Sequence, residues 1–113
     1  MSTPTATPAL PDFASFQRDA LAHGYDEVVA REWAPRQELA THGHPFAVQA
    51  LVVRGEMWLT VGHTTRHLRP GDRFQLASDE QHAERYGTEG ATYWVARRHG
   101  PKARARAEDE AED

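Results

Sequence analysis

Cysteine is absent from the 113 residues, which excludes a disulfide framework, a thiolate metal site and a cysteine nucleophile. Lysine is nearly absent: Lys102 is the only one among 13 Lys+Arg, against 17 Asp+Glu, for a formal net charge of -4. Without a basic surplus, a phosphate-backbone partner such as DNA or RNA is not expected. No stretch approaches the roughly 18 apolar residues that cross a bilayer, so no membrane partner is expected. The opening MSTPTATPAL lacks both a basic n-region and an apolar h-region. No secretory signal is read there, and the expected compartment is the cytoplasm. The bias to Arg, with abundant Ala, points to a GC-rich bacterial genome.

What the chain has in excess is histidine, seven in so short a sequence. Around them the organisation is simple. Residues 1–10, dominated by Pro, Thr and Ala, read as a disordered leader. Residues 101–113, opened by Pro101 and closed by a run of acids, read as a charged disordered tail. Residues 11–100 are left as a single domain. A short helix is predicted over residues 12–22: Pro11 and Asp12 are start signals, Gly24 is a stop, and Phe13, Phe16, Ala20 and Leu21 share a face. Strands are predicted over residues 27–33, 46–54, 56–61, 65–68, 73–76, 82–86 and 91–98, with Gly55, Gly62, Gly71, Gly87 and Gly90 between them. Such short strands at close spacing predict an all-β fold, a small antiparallel β-barrel carrying one N-terminal helix. Pro70-Gly71 predicts a type II turn, Pro fixing φ at the first central position and Gly supplying positive φ at the second. The core of so small a barrel is thin, and a homodimer through an edge strand is an expected supplement.

His42 and His44 flank one residue. In a strand, i and i+2 share a face, so two imidazoles there can hold one divalent ion such as Fe, Zn, Ni or Mn. His82, at the mouth of a later strand, is the expected third ligand. His23, His63, His67 and His99 read as surface residues. Glu84 and Tyr86 follow His82 at steps of two and face the same way. Glu84 is a candidate general base or orienting partner, and Tyr86 shares its candidate catalytic role. Phe46, Trp58, Tyr86 and Trp94 are candidates for a pocket or for the core.

These residues resemble the cupin family, over about residues 36–98. Its first motif, G-x5-H-x-H-x3,4-E-x6-G, is matched by His42, His44 and Gly55. Its second, G-x5-P-x-G-x2-H-x3-N, is matched by Gly71 and His82 at the family's separation. The chain departs from the pattern with Arg36 at the first Gly, Ala77, Asp79 and Gln81 in motif two, and Tyr86 at the Asn. The motif-one Glu is missing, with Val48 or Gln49 in its place. The resemblance implies a cupin-type double-stranded β-helix and a three-His metal site, His42, His44 and His82, with Gln49 as an amide-oxygen candidate. Strand alternation gives the inward face to Val48 and Ala50, so the direction of Gln49 is open. Three-His cupins include dioxygenases, so the resemblance implies a metal-dependent oxygenase, isomerase or lyase acting on a small organic molecule. The alternative is a binding or sensing module without turnover. No helix-turn-helix pattern follows residue 98, so a sensor fused to its own DNA reader is not expected in this sequence.

Overall fold

Asp12 accepts a hydrogen bond from the Ser15 amide at 2.7 Å and so caps α1 (Phe13–Ala22), one residue inside the expected start. The computed structural model describes residues 10–99. The expected leader and tail lie outside the described residues, apart from Leu10. Six strands follow the helix: β1 (Glu27–Trp33), β2 (Glu38–His42), β3 (Phe46–Val61), β4 (Thr64–Leu68), β5 (Arg73–Leu76) and β6 (His82–His99). Every pairing is antiparallel.

β3 and β6 are longer than expected. Each was predicted as two strands and forms one. They pair with each other from Phe46↔His99 to Thr60↔Ala83, with register shifts near Gly55. At the shift the sheet folds over, because an extra residue bends the strand that carries it. The fold requires a close approach there: a Cβ on Gly55, whose φ is +74°, would lie 2.1 Å from the Gly90 carbonyl oxygen. The result is two layers. Near one end, β1 and β5 flank the β6–β3 pair. Near the other, β2 and β4 flank it. This is the antiparallel double-stranded β-helix expected. Among the described residues β1, β2, β4 and β5 each pair on one side only, leaving free edges of the kind a dimer uses.

Alternation along the strands divides the apolar residues between two clusters. Phe46, Val48, Ala50, Val52, Met57, Leu59, Phe74, Tyr86, Tyr93 and Val95 fill the space between the layers. Leu51 and Ala96 face outward and are covered by Phe16 and Ala20 of α1. Trp94 belongs to this outer cluster, edge-on to Phe13 at 5.4 Å. Fully burying one such side chain contributes about 1.5–3 kcal/mol.

The predicted type II turn is present: Gly71 has φ +97° and the Asp72 amide donates to the Arg69 carbonyl at 2.9 Å. Two non-glycine residues also have positive φ, Arg36 at 60° and Asp79 at 65°. Both stand where the cupin motifs have Gly. The backbone conformation is kept although the residue that adopts it without strain is not.

Candidate metal centre

His42, His44 and His82 converge, with candidate ligand atoms all within 4.8 Å of one another. The two rings do not share a strand face as the sequence predicts. His42 is the last residue of β2, and residues 43–45 lie outside any strand, so simple i, i+2 alternation does not align the two rings. The loop does it instead. The Asp79 amide donates to the His44 carbonyl at 2.6 Å, and Gly43 packs so tightly on this segment that a Cβ would lie 2.4 Å from Gln81 Nε2. His44 also stacks on Phe46, with ring centroids 5.0 Å apart. His82 is brought in by β6, directly opposite His42 in the β2 register.

Two of the imidazoles are oriented by backbone. His42 Nδ1 lies 2.7 Å from the Ala40 carbonyl oxygen and His82 Nδ1 3.0 Å from that of Glu80. A carbonyl only accepts, so Nδ1 carries the proton and Nε2 is left for the cluster. Three neutral imidazole nitrogens suit a first-row divalent ion. Donors around an ion at about 2.0–2.2 Å stand roughly 3–4 Å apart, so the cluster needs side-chain shifts of about 1 Å to close on one. The residues present fit a metal.

Glu84 lies beside the imidazoles and is 6% exposed. Its register partners are Leu39 and Leu59, which turn it inward. Oε2 is 3.3 Å from His82 Nε2 and 3.9 Å from His42 Nε2. Oε1 accepts from the hydroxyls of Tyr86 and, at 3.2 Å, Tyr93. A buried carboxylate without partners costs several kcal/mol, and these donors offset that cost. Burial alone would raise the Glu84 pKa, but hydrogen bonds from His82 and Tyr86, with the His82 charge, outweigh it and hold the carboxyl below its ordinary range. Burial alone would lower the His82 pKa. The Glu84 and Glu80 contacts outweigh it and the pKa is raised. Each partner of the pair thus favours the charged form of the other.

Tyr86 is not placed to react with a pocket ligand. It is 1% exposed, stacks on Trp33 with ring centroids 5.2 Å apart, and is not among the residues lining the cavity at the histidines. Burial, with the charges of Tyr93 and Glu84, pushes its hydroxyl far above the ordinary pKa. It acts as a fixed donor that orients Glu84, a positioning residue. Gln49 does not take the expected ligand position. It pairs in register with outward-facing Ala96 and lines a groove beside α1 with Phe16 and Tyr25, on the opposite face of the layer. Trp58 stacks on His67 at 4.5 Å beneath Arg85, away from the histidine cavity. His23, His63, His67 and His99 all stand outside the cluster.

The cavity has a volume of about 70 Å³. Its walls include Phe46, Val48, Phe74 and Val95, as well as Arg31, Trp33, Tyr93 and Arg97, which the sequence reading did not pick out. Alternation carried their signal: Arg31 lies between inward Val29 and Trp33, and Arg97 follows inward Tyr93 and Val95. An arginine at an inward position breaks the apolar pattern, so alternation alone does not mark it as inward.

The family model for the AraC-like ligand binding domain matches residues 24–107. A search of curated proteins finds no match. Among solved structures, an uncharacterised double-stranded β-helix protein from Klebsiella pneumoniae is 26% identical with TM-score 0.59, over 69% of this chain and 70% of that one. A DMSP lyase from Ruegeria pomeroyi is 26% identical with TM-score 0.57, over 66% of this chain and 38% of the lyase. A protein of unknown function from Rhizobium leguminosarum is 20% identical with TM-score 0.61, over 65% of this chain and 69% of that one. The chain thus spans about two-fifths of the lyase's length.

Proposed function

Because the chain belongs to the AraC-like ligand binding domain family, a cupin-type domain, we propose that its cavity binds a small organic molecule beside a divalent ion held by His42, His44 and His82. The observation that carries this reading is the convergence of those three imidazoles with a buried carboxylate at one end of an otherwise largely apolar pocket. A divalent ion there would act as a Lewis acid towards a substrate oxygen. Glu84, its pKa held low, is bound at Oε1 by two tyrosines, so Oε2 is the atom that would accept a proton from a ligand carbon. The apolar wall excludes water from that transfer. Lyase or isomerase chemistry uses such a base directly, so we favour it over oxygenase chemistry. The likeness to a DMSP lyase supports the same class.

The second reading is a sensing module that binds the molecule without turnover, and the family model's ligand-binding description favours it. The test of the metal is a Zn²⁺ titration of wild type against His44→Ala and His82→Ala. Both variants are expected to lose binding while remaining folded. Equal stoichiometry and affinity in all three proteins would end the metal reading. Elemental analysis of protein purified without a nickel column then separates Fe, which favours an oxygenase, from Zn, Ni or Mn.

A further inference from the structure

We propose that the histidine cavity selects short aliphatic ligands, with a body of about three or four non-hydrogen atoms, and that Phe74 is the residue that sets this limit. The proposal names the ligand class of the preceding reading. It rests on the cavity being the ligand site, and not on the metal. The volume of about 70 Å³ decides the size. An apolar cavity of about 150 Å³ takes one benzene ring, so the space here suits roughly half as many atoms.

Strand register builds the limit. Phe74 of β5 pairs with Ala50 of β3, and Ala50 pairs with Val95 of β6, so the three side chains stand in one row. Phe74 and Val95 line the cavity and Ala50 between them does not, because the two larger side chains close over the small one. Val52, Met57 and Leu59 belong to the same core and do not line the cavity either. Phe74 meets Tyr93 edge-on, with ring centroids 5.5 Å apart, and the Tyr93 hydroxyl donates to Glu84 at 3.2 Å. This run of contacts, from the carboxylate to the wall, closes the way from the histidines into the rest of the core.

The wall does not yield cheaply. Phe74, Leu76 and Val95 are all buried, and in a close-packed core a displaced ring leaves a void or makes a clash. Each methylene that leaves water for the pocket tightens binding about fourfold. The gain stops where the chain meets Phe74. The side chains of Val48, Phe74, Leu76 and Val95 offer no hydrogen bond, so the body of the ligand is apolar. Its oxygen stays at the end where His42, His44 and His82 converge.

The test measures affinity for straight-chain primary alcohols, ethanol to hexanol, in EDTA. Binding is followed by NMR of the Val48, Leu76 and Val95 methyl signals. In wild type, affinity is expected to rise about fourfold per carbon as far as propanol or butanol and to gain nothing further to hexanol. Phe74→Val removes about four carbons of wall. It should extend the rise through hexanol, binding it about tenfold or more tighter than wild type does, and leave ethanol within about twofold. Phe74→Leu, a milder change in the core, should extend the rise by about one carbon and serves if the Val variant is poorly folded. A rise that continues to hexanol in wild type, or a limit that both substitutions leave in place, overturns the proposal while the ligand-site reading stands. Methyl signals that respond to no alcohol overturn both. Failure of wild type to bind Zn²⁺ sinks only the metal reading, because the alcohol series is read without it.

Discussion

Replacing Tyr86 with Phe isolates the hydrogen bond that holds Glu84. The ring is 1% exposed and stacked on Trp33, and Phe keeps that packing, so no cavity is added to the effect. What is lost is one donor to a buried carboxylate, with Tyr93 remaining at 3.2 Å. A hydrogen bond to a charged group is worth about 1.5–3 kcal/mol. For a domain of this size that lowers Tm by roughly 10 °C. The effect carries a pH signature. The folded Glu84 pKa is depressed, so its stabilisation is complete above the unfolded value of about 4.3 and is lost as pH falls through the folded value. Removing the Tyr86 hydroxyl moves the folded pKa back up. The gap between wild type and Tyr86→Phe is therefore full at pH 7 and closes in acid. Urea unfolding in EDTA from pH 7 down to pH 3 measures it. A gap under about 0.5 kcal/mol at pH 7, or one that stays constant with pH, would refute the account of Glu84 as an ionised, tyrosine-held group.

Other outcomes follow from the same geometry. The raised His82 pKa gives stabilisation that is complete below about pH 6.5 and lost as pH rises through the folded value. Together with Glu84 this puts the metal-free stability maximum between roughly pH 4.5 and 6.5, and saturating Zn²⁺ should move it upward because only neutral imidazole ligates. Urea midpoints across pH check both statements. Gln49→Glu, on the face beside α1, should leave Zn²⁺ affinity within about twofold by calorimetry, since the new charge lies across the layer from the histidines. Arg36→Gly should raise stability by about 0.5–1 kcal/mol in urea unfolding, the relief at φ +60° exceeding the entropy added to the unfolded chain; a loss would show that the Arg36 side chain contributes more than its backbone costs.

Much of this architecture was legible because its signals are local. The Asp12 cap, the Pro70-Gly71 turn and the alternation of Val48 and Ala50 each depend on residues within a few positions of one another. β2 was not predicted: its ELATH sequence buries little and is held by pairing to β6, a contact across about forty residues that no local pattern records. β3 and β6 were each split because Gly55 and the Gly87–Gly90 stretch look like turns, while the chain uses them as bends inside continuous strands. In the site, the three histidines and Glu84 were legible from motif spacing and from the step of two after His82. Tyr93 and the arginines were not, because their meaning depends on which face of β1 and β6 turns inward.

β6 has no free edge along most of its length. One side is bonded to β3 before and after the bend at residues 87–90, and the other is bonded first to β2 and then to β1. Its amides are expected to exchange with solvent only when the whole domain opens, and His82, Glu84, Tyr93 and Arg97 hang from that strand. His42 and His44 hang from the end of β2 and the loop after it, bonded through strand pairing on one side only. Opening there needs a far smaller excursion. The site is therefore part fixed and part adjustable, and an arriving ion would meet one rigid donor, His82, and draw His42 and His44 onto it. Ion capture would then register as slower amide exchange around residues 40–45, with little change along β6.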